Sequence, residues 1–318
     1  MDFLNNNWKK IALIGGANLV VLVILGFLPM YGSDYVVVLF SYFLLYIILS
    51  VSWTIFSGAT GYISLATAAF YGVGIYAAAI YGDKLPLIVV VLIGGAASFV
   101  IAFIVGAITL RLKGIYFAMF TFGLVLLIKE VVYYWEINIA NKRGEFVVLQ
   151  SNETIYFYLL GIAIITIIAA YLIRKSKFGL ALQSIGENEE AAAHTGVNVT
   201  MIKVLTYAIS AIFMGAAGVI MATKLTYVDP GVAFNPLLSF NPVLMAIFGG
   251  LGNFYGPVIG AVIFSYIQEY LSTGDLSNYY MLIFGAILVA TILFLPRGLL
   301  GLIQTIRNRF TGAKRAPA

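Results

Sequence analysis

The side chains best able to do chemistry are concentrated in one connecting segment, residues 174–203. It holds three closely spaced carboxylates, Glu187, Glu189 and Glu190, and the only histidine of the chain, His194. One histidine and no cysteine cannot build a metal cluster, and the lack of cysteine also excludes disulfides and thiol catalysis. The patterns H-E-x-x-H, G-x-S-x-G and G-x-x-x-x-G-K-[ST] are all absent. We therefore expect no enzyme, and any ATP that drives the protein must be hydrolysed by another polypeptide.

The same segment carries its own helix signals. Ser184 and Glu187 have capping-box spacing, Glu189 and Glu190 suit a helix N-terminus, and three alanines follow them. Gly196 is placed to end the helix. These signals predict a helix of one to three turns that begins with acidic residues. It serves either as a docking element for a cytosolic partner or as a solvated loop helix, and the residues alone leave both readings open.

The composition indicates the class of protein to which this segment belongs. Of the 318 residues, 62% are hydrophobic and 10% are charged, and the mean hydropathy is +1.02. Soluble globular chains are about half apolar and about a quarter charged. A water-soluble fold of this size cannot bury so much apolar surface, which excludes a cytosolic enzyme, a disordered chain and a nucleic-acid-binding domain. We expect an integral membrane protein that contacts the lipid bilayer and no nucleic acid.

Long apolar runs predict the spans. A helix needs about 20 mostly apolar residues to cross the hydrocarbon core. The runs indicate an all-α polytopic membrane protein with about 8–10 transmembrane helices, because a barrel would show short alternating segments instead. The N-terminal run is longer than the apolar part of a signal peptide, so we interpret it as a permanent span. The predicted spans lie near residues 11–28, 35–56, 62–81, 87–108, 115–135, 155–173, 204–222 and 279–295, with a broken element at 242–270.

The distribution of Lys and Arg orients these spans. With the N-terminus inside, 13 of the 18 basic residues fall in inner segments, four in outer segments and one, Lys129, within a span. This bias predicts that both termini and the 174–203 connection are cytoplasmic. A cytoplasmic C-terminus requires residues 242–270 to enter the membrane and return to the same side, as a broken hairpin or a re-entrant element.

Small residues and rare charges mark particular positions in the bundle. Gly252, Gly256 and Gly260 recur every four residues, a spacing that lets helices approach closely. This pattern favours packing within the chain, with a subunit interface or a pore lining as the alternatives. Lys129 and Glu130 lie near the outer end of their predicted span, where a long side chain can reach the membrane interface.

Five short stretches are specific when they are taken together. They are S-G-A-T-G-Y-I-S-L at 57–65 with A-A-F at 68–70, R-L-K-G-I-Y-F-A at 111–118, E-N-E-E-A-A-A-x-x-G-V-N-V-T at 187–200, F-G-G-L-G at 248–252 with G-P-V-I-G at 256–260, and L-P-R-G-L-L-G at 295–301. In this order and spacing they resemble ABC permeases of the branched-chain amino acid type, specifically the LivM-like subunit. The resemblance covers roughly residues 35–303.

This resemblance implies a set of partners. The chain would pair with a homologous second permease subunit, two cytosolic ATP-binding cassette subunits and an extracytoplasmic substrate-binding protein, in a bacterial-type cytoplasmic membrane. ATP and Mg²⁺ would be bound by the partner subunits, and this chain would bind no cofactor. The element seated on the ATPase would comprise Glu187, Glu189, Glu190, Ala191, Ala192 and Gly196. The residues that line or pack the pathway would comprise Gly58, Gly61, Ser64, Gly249, Gly250, Gly252, Gly256 and Gly260.

Some positions depart from the family. Leu126 stands where an acidic residue is common, Lys129 where Arg is usual, and residues 141–145 replace a glycine-rich loop. The leading hypothesis is the permease subunit of an ATP-driven importer for branched-chain or other hydrophobic amino acids. The alternatives are an ABC permease for urea or short amides, and an ion-coupled secondary transporter or channel that works without a motor.

Overall fold

The computed structural model describes residues 23–273 and the single positions 279, 282, 283, 285, 286, 289, 298, 299 and 301. Of the predicted span at 11–28, only residues 23–28 belong to this part of the chain, and they are helical. Most of the predicted span at 279–295 lies outside the described residues.

Helices form nearly all of the regular structure. The elements in chain order are α1 (Asp34–Trp53) followed by a π-helical turn (Thr54–Gly58), α2 (Thr67–Tyr81), α3 (Leu87–Thr109), α4 (Ile115–Asn138), β1 (Glu145–Phe146), α5 (Asn152–Lys175), α6 (Lys177–Glu187), α7 (Glu189–His194), α8 (Val199–Ala222), β2 (Tyr227–Val228), α9 (Pro230–Ala233), α10 (Leu237–Gly249) and α11 (Gly256–Thr273). The two short strands pair antiparallel, with Glu145 opposite Val228 and Phe146 opposite Tyr227.

Six helices among the described residues are long and apolar enough to cross a membrane, which confirms the all-α membrane fold. They are Asp34–Gly58, Leu87–Thr109, Ile115–Asn138, Asn152–Lys175, Val199–Ala222 and Pro230–Gly249. The predicted span at 62–81 is wrong at its start. Residues 61–66 are not helical, and α2 has 15 residues from Thr67 to Tyr81. The hydropathy of 61–66 resembles that of a helix, but the segment is non-helical and hydrogen-bonds to other elements, as described below.

The centre of the bundle is α8, which packs against α2 and α3. The buried share of its most apolar 18-residue window is 83%, against 22% for α4. Backbones approach closely here because small residues meet. A Cβ on Gly74 would collide with the backbone of Gly215, and one on Gly218 would collide with the Tyr71 carbonyl. Helices in lipid gain little from burying apolar surface against one another. These small residues favour association instead, because they let the helix backbones pack closely.

The predicted break in 242–270 is confirmed. Helix α10 ends at Gly249, residues 250–255 form a turn, and α11 begins at Gly256. Gly250 has φ +106°, a conformation that side chains with a Cβ rarely adopt. The two helices pack closely, since a Cβ on Gly260 would collide with the Met245 carbonyl. Of the three glycines spaced four residues apart, only Gly256 and Gly260 pack closely between the helices. Gly252 lies in the turn and contributes no close packing.

Candidate functional site

Two short helices, α6 and α7, form the connection between α5 and α8. Asn188 separates them and caps α7, because its Oδ1 accepts hydrogen bonds from the backbone N–H groups of Glu190 (3.1 Å) and Ala191 (3.0 Å). The predicted capping box of Ser184 and Glu187 is wrong. Ser184 lies inside α6 and its hydroxyl donates to the Leu180 carbonyl instead. The N-cap of α7 is Asn188, four residues after Ser184, and asparagine caps a helix as well as serine does.

Helix α7 is attached to the bundle by a buried lysine. Lys203 is 2% exposed, and its Nζ donates to Glu189 Oε1 at 2.8 Å, to the Leu110 carbonyl at 3.2 Å and to the Tyr62 hydroxyl at 3.4 Å. The Tyr62 hydroxyl in turn donates to Glu189 Oε2 at 2.6 Å. We call Tyr62, Glu189 and Lys203 the clasp. It joins α7, α8, the end of α3 and the non-helical segment 61–66 at one point.

The clasp also sets the charge state of Glu189. Burial alone would raise the pKa of this carboxyl group. The hydrogen bonds from Lys203 and Tyr62, together with the positive charges of Lys203 and Lys113, outweigh that effect and lower the pKa below the ordinary value of 4.5. Glu189 is therefore ionised at neutral pH, and the buried ammonium of Lys203 has the counter-charge that it needs.

The other predicted coupling residues divide between two faces of this connection. Ala192 is 3% exposed and faces the bundle with Glu189. Glu190 faces outward, and its carboxylate lies 3.9 Å from the Lys113 ammonium in a pair that is largely solvated. Glu187, Ala191 and Gly196 are also exposed, and Gly196 has φ +86° after the end of α7. One face of α7 is thus held by the protein, and the other is open.

Residues 54–66 separate α1 from α2, and we call them the interrupted segment. This segment holds the predicted residues Gly58, Gly61 and Ser64. Non-helical backbone at membrane depth must find hydrogen-bond partners inside the protein. Here the Trp53 indole N–H donates to the Ser64 carbonyl at 2.8 Å, and the Leu65 N–H donates to the Thr121 hydroxyl at 3.0 Å. Partners from α1 and α4 therefore replace the missing helical bonds, and Ser64 itself is buried.

Aromatic rings pack behind this segment. The Tyr62 and Phe117 rings meet edge to face at 5.6 Å, and Tyr207 of α8 contacts Phe56 at 5.1 Å and Phe117 at 6.0 Å. Such pairs favour one relative orientation of the elements that carry them. The aromatic contacts thus connect the clasp to the interior of the bundle through α8 and the interrupted segment.

A cavity of about 320 Å³ opens where the π-helical turn, α6 and the 250–255 turn meet. Its walls include predicted residues from both groups: Gly58, Glu187 and Gly252. Arg174 at the end of α5 donates to the Gly252 carbonyl at 3.0 Å. The glycines at 249, 256 and 260 lie instead in the α10–α11 contact, where they serve packing.

Two buried charges were missed from the sequence. Lys203 was assigned to the connection, but α8 begins at Val199 and includes it. Glu136 of α4 is 1% exposed, accepts a hydrogen bond from the Tyr76 hydroxyl at 2.7 Å and another from the Gly144 N–H at 3.0 Å, and so fixes the opposite end of the bundle. The signal for Lys203 is that it is the single charged residue of an apolar helix, whereas Glu136 shares its helix with Lys129 and Glu130. Within the described residues no three His, Cys, Asp or Glu side chains are grouped to hold a metal ion.

Comparison with known proteins identifies the family of the chain. The family of the branched-chain amino acid transport system / permease component matches residues 35–292. The high-affinity branched-chain amino acid transport system permease protein LivM of Salmonella typhimurium is 26% identical over 298 residues, which cover 81% of this chain and 68% of the relative. LivM of Escherichia coli K12 is 25% identical over 309 residues, covering 86% and 71%.

A second group of relatives is matched over a shorter length. The ribose import permease protein RbsC of Haemophilus influenzae is 28% identical over 170 residues, which cover 50% of this chain and 49% of the relative. No solved structure matches the chain. The family match covers most of the chain and includes the interrupted segment, α6, α7 and the α10–α11 break. This integral membrane protein therefore belongs to the family of permease components of branched-chain amino acid transport systems.

Proposed function

We propose that this chain is the permease subunit of an ATP-driven importer that moves branched-chain or other hydrophobic amino acids across the cytoplasmic membrane. Its partners are a homologous second permease subunit, two ATP-binding cassette subunits and an extracytoplasmic substrate-binding protein. Connection 174–203 and both termini face the cytoplasm. The observation that carries this proposal is the clasp, which ties a short helix with one open face to the interior of the bundle.

In this proposal α7 and the end of α6 seat on the ATPase. Glu187, Glu190 and Gly196 are available for that contact, whereas Glu189 and Ala192 are used inside the chain. A displacement of α7 pulls on Lys203 and Tyr62, and therefore on α8 and the interrupted segment together. Because these contacts combine a buried charge pair with short hydrogen bonds, they transmit force better than a flexible loop would.

The pathway in this proposal passes the interrupted segment. A helix that stops and restarts leaves backbone groups at membrane depth, and such breaks are where transporters commonly place their binding sites. Gly58 and Gly61 belong to this break. A lining of glycine-rich backbone with few fixed charges suits the passage of a zwitterion, because it offers no deep electrostatic trap.

The test is reconstitution with the proteins encoded beside this gene. The full complex in proteoliposomes should accumulate labelled leucine with Mg-ATP, and not with an ion gradient alone. Glu190→Lys combined with Gly196→Pro should abolish ATPase stimulation while the chain still folds. Asp83→Lys, a charge reversal at the opposite end of the bundle, is the matched control and should retain transport. Uptake driven by an ion gradient without ATPase subunits would overturn the proposal in favour of a secondary transporter.

The substrate has a second candidate class. Sugar permeases for ribose and xylose are similar to this chain over 50% and 44% of its length. The same proteoliposomes should therefore be offered leucine, ribose, xylose and urea in competition. Inhibition of leucine uptake by valine and isoleucine, and not by the sugars or urea, is the result that supports an amino acid importer.

A further inference from the structure

One face of α4 lacks any packing partner among the described residues. Positions 116, 120, 123, 127, 130 and 134 alternate by four and three residues and so form one stripe along the helix. Their side chains face outward: Tyr116 is 69% exposed, Leu127 59% and Tyr134 63%. A Cβ on Gly123 would meet no atom of the described residues within 4 Å. The stripe is therefore a long, open and mainly apolar surface.

A carboxylate lies in the middle of this stripe. Glu130 is exposed and makes no hydrogen bond or ion pair with the part of the chain that the structure describes, and it sits in a shallow hollow formed by Leu126, Leu127, Val131 and Tyr134. Helix α4 continues to Asn138, so Glu130 lies eight residues, or about 12 Å, from the helix end. With the membrane surface placed at the end of α4, that distance is too great for the short side chain of a glutamate to reach it. The sequence predicts that this span ends near residue 135, and α4 continues three residues further, to Asn138.

Lipid is a poor neighbour for this face. A carboxylate at membrane depth is costly against hydrocarbon and is normally directed towards a partner or a water-filled cavity. Lys129 does not supply the partner, because adjacent residues on a helix point in different directions. By contrast α3, whose outer face is also open, has no ionisable residue from Leu87 to Thr109. The face of α3 suits lipid, and that of α4 does not.

A second copy of this chain does not fit the stripe either. Two copies in one membrane have the same orientation, so helices that pack through the same stripe about a two-fold axis run parallel. Each residue then lies close to its own counterpart, and Glu130 would face Glu130. Like charges that face each other across an interface are unfavourable. These two arguments favour a helix of a different chain, with a positive charge at this depth, over lipid and over a second copy.

We propose that the α4 stripe is the contact surface for one transmembrane helix of a different membrane protein, and that this helix places a Lys or Arg side chain against Glu130. Gly123 lets the partner helix approach closely, and Leu127 and Tyr134 pack on either side of the charge pair. The inference rests on the proposed function in one respect: it takes the second permease subunit as the chain that supplies the helix.

Photo-crosslinking in the assembled complex tests this surface. A benzoylphenylalanine replaces Leu127 in the full chain, co-expressed with the proteins encoded beside it, and a benzoylphenylalanine at Leu92 of α3, which is 68% exposed, is the control. The expected result is a crosslink from position 127 to one transmembrane segment of a different chain that contains Lys or Arg, with only lipid adducts from position 92. Lipid adducts from both positions, a crosslink to a second copy, or a crosslink to residues 1–22 or 274–318 of the same chain would each overturn the proposal.

Charge reversal then tests the pair itself. Glu130→Lys should reduce co-purification of the crosslinked chain at least tenfold, and reversal of the partner's cation to Glu should restore it. Glu130→Gln, which keeps the shape, should give an intermediate loss and shows whether α4 still inserts. Undiminished co-purification of Glu130→Lys would refute the charge pair. If the crosslink forms but no ATPase subunit joins the complex, the proposed function fails and the interface stands. If ATP-driven uptake proceeds while position 127 reaches only lipid, the interface alone fails.

Discussion

The ammonium group of Lys203 lies 4.6 Å from the centre of the Tyr62 ring, although 141 positions separate the two residues in the chain. Tyr62 belongs to a segment without helical hydrogen bonds, and Lys203 belongs to the most buried of the six candidate spans among the described residues. Glu189 bridges them from α7. The Lys203 ammonium thus lies over the face of the Tyr62 ring, and the hydroxyl of the same ring donates to Glu189, the counter-ion of Lys203. Together these contacts fix the relative orientation of the three groups.

Lys203→Met should destabilise the chain by about 1.5–3 kcal/mol, because it removes hydrogen bonds to a charged group and leaves the Glu189 carboxylate without its main partner. Lys113→Met is the matched control. It removes a lysine from the largely solvated pair with Glu190 and should cost less than about 1 kcal/mol. Thermal unfolding of the two variants in the same detergent measures the difference. Equal melting temperatures for the two variants would contradict the role of the clasp.

The clasp should also depend on pH in a defined direction. The folded-state pKa of Glu189 is below its ordinary value of 4.5, so its contribution to stability is fully present above pH 4.5 and is lost as the pH falls through the lower, folded-state pKa. The melting temperature of the wild type should exceed that of Glu189→Gln by a constant amount from pH 5 to 8, and the gap should shrink below pH 4.5. A gap that widened on acidification would show that the sign is wrong.

Thr121→Val should be costly in spite of its nearly unchanged shape. The Thr121 hydroxyl accepts the N–H of Leu65, and its removal leaves a buried donor unsatisfied at a cost of about 1–3 kcal/mol. Thr166→Val is the control, because this equally buried hydroxyl bonds only to the Ile162 carbonyl of its own helix. Unfolding temperatures in detergent should fall clearly for the first variant and little for the second. An equal fall for both would mean that the hydroxyl of Thr121 does not hold the interrupted segment.

The α10–α11 contact should tolerate no added methyl group. A Cβ on Gly260 would meet the carbonyl of Met245 and the backbone of Gly249, so Gly260→Ala should destabilise the hairpin by about 1–3 kcal/mol. The matched variant Gly161→Ala, in α5, meets no described atom within 4 Å and should stabilise the chain by about 0.5–1 kcal/mol through helix propensity. Detergent melting curves that moved in the same direction for both variants would argue against close packing at Gly260.

Hydropathy and the clustering of glycines predicted much of the fold. Apolar length located α3 within a residue of its ends, and the clustered glycines indicated the break between α10 and α11. Hydropathy failed at residues 61–66, because these residues are as apolar as a helix. Their non-helical path is held by hydrogen bonds with Trp53 and Thr121, and Thr121 is near only in the folded bundle.

The candidate site was predicted only on its outer face. The acidic run at 187–190 indicated a helix and its polarity, but the pattern could not distinguish which glutamate turns inward. That choice is made by Lys203, whose burial follows from α8 starting at Val199, and by the cap at Asn188. Pairings across 14 to 141 positions are set by tertiary structure, and no local pattern encodes them.

The two-residue ladder between β1 and β2 has a mechanical consequence. The ladder links the α4–α5 connection to the α8–α9 connection. Two further hydrogen bonds strengthen this link, from Val147 N–H to the Thr226 carbonyl and from Gln150 N–H to the Thr223 carbonyl. The two connections cannot separate without breaking these backbone hydrogen bonds. We therefore expect this rim of the bundle to resist deformation.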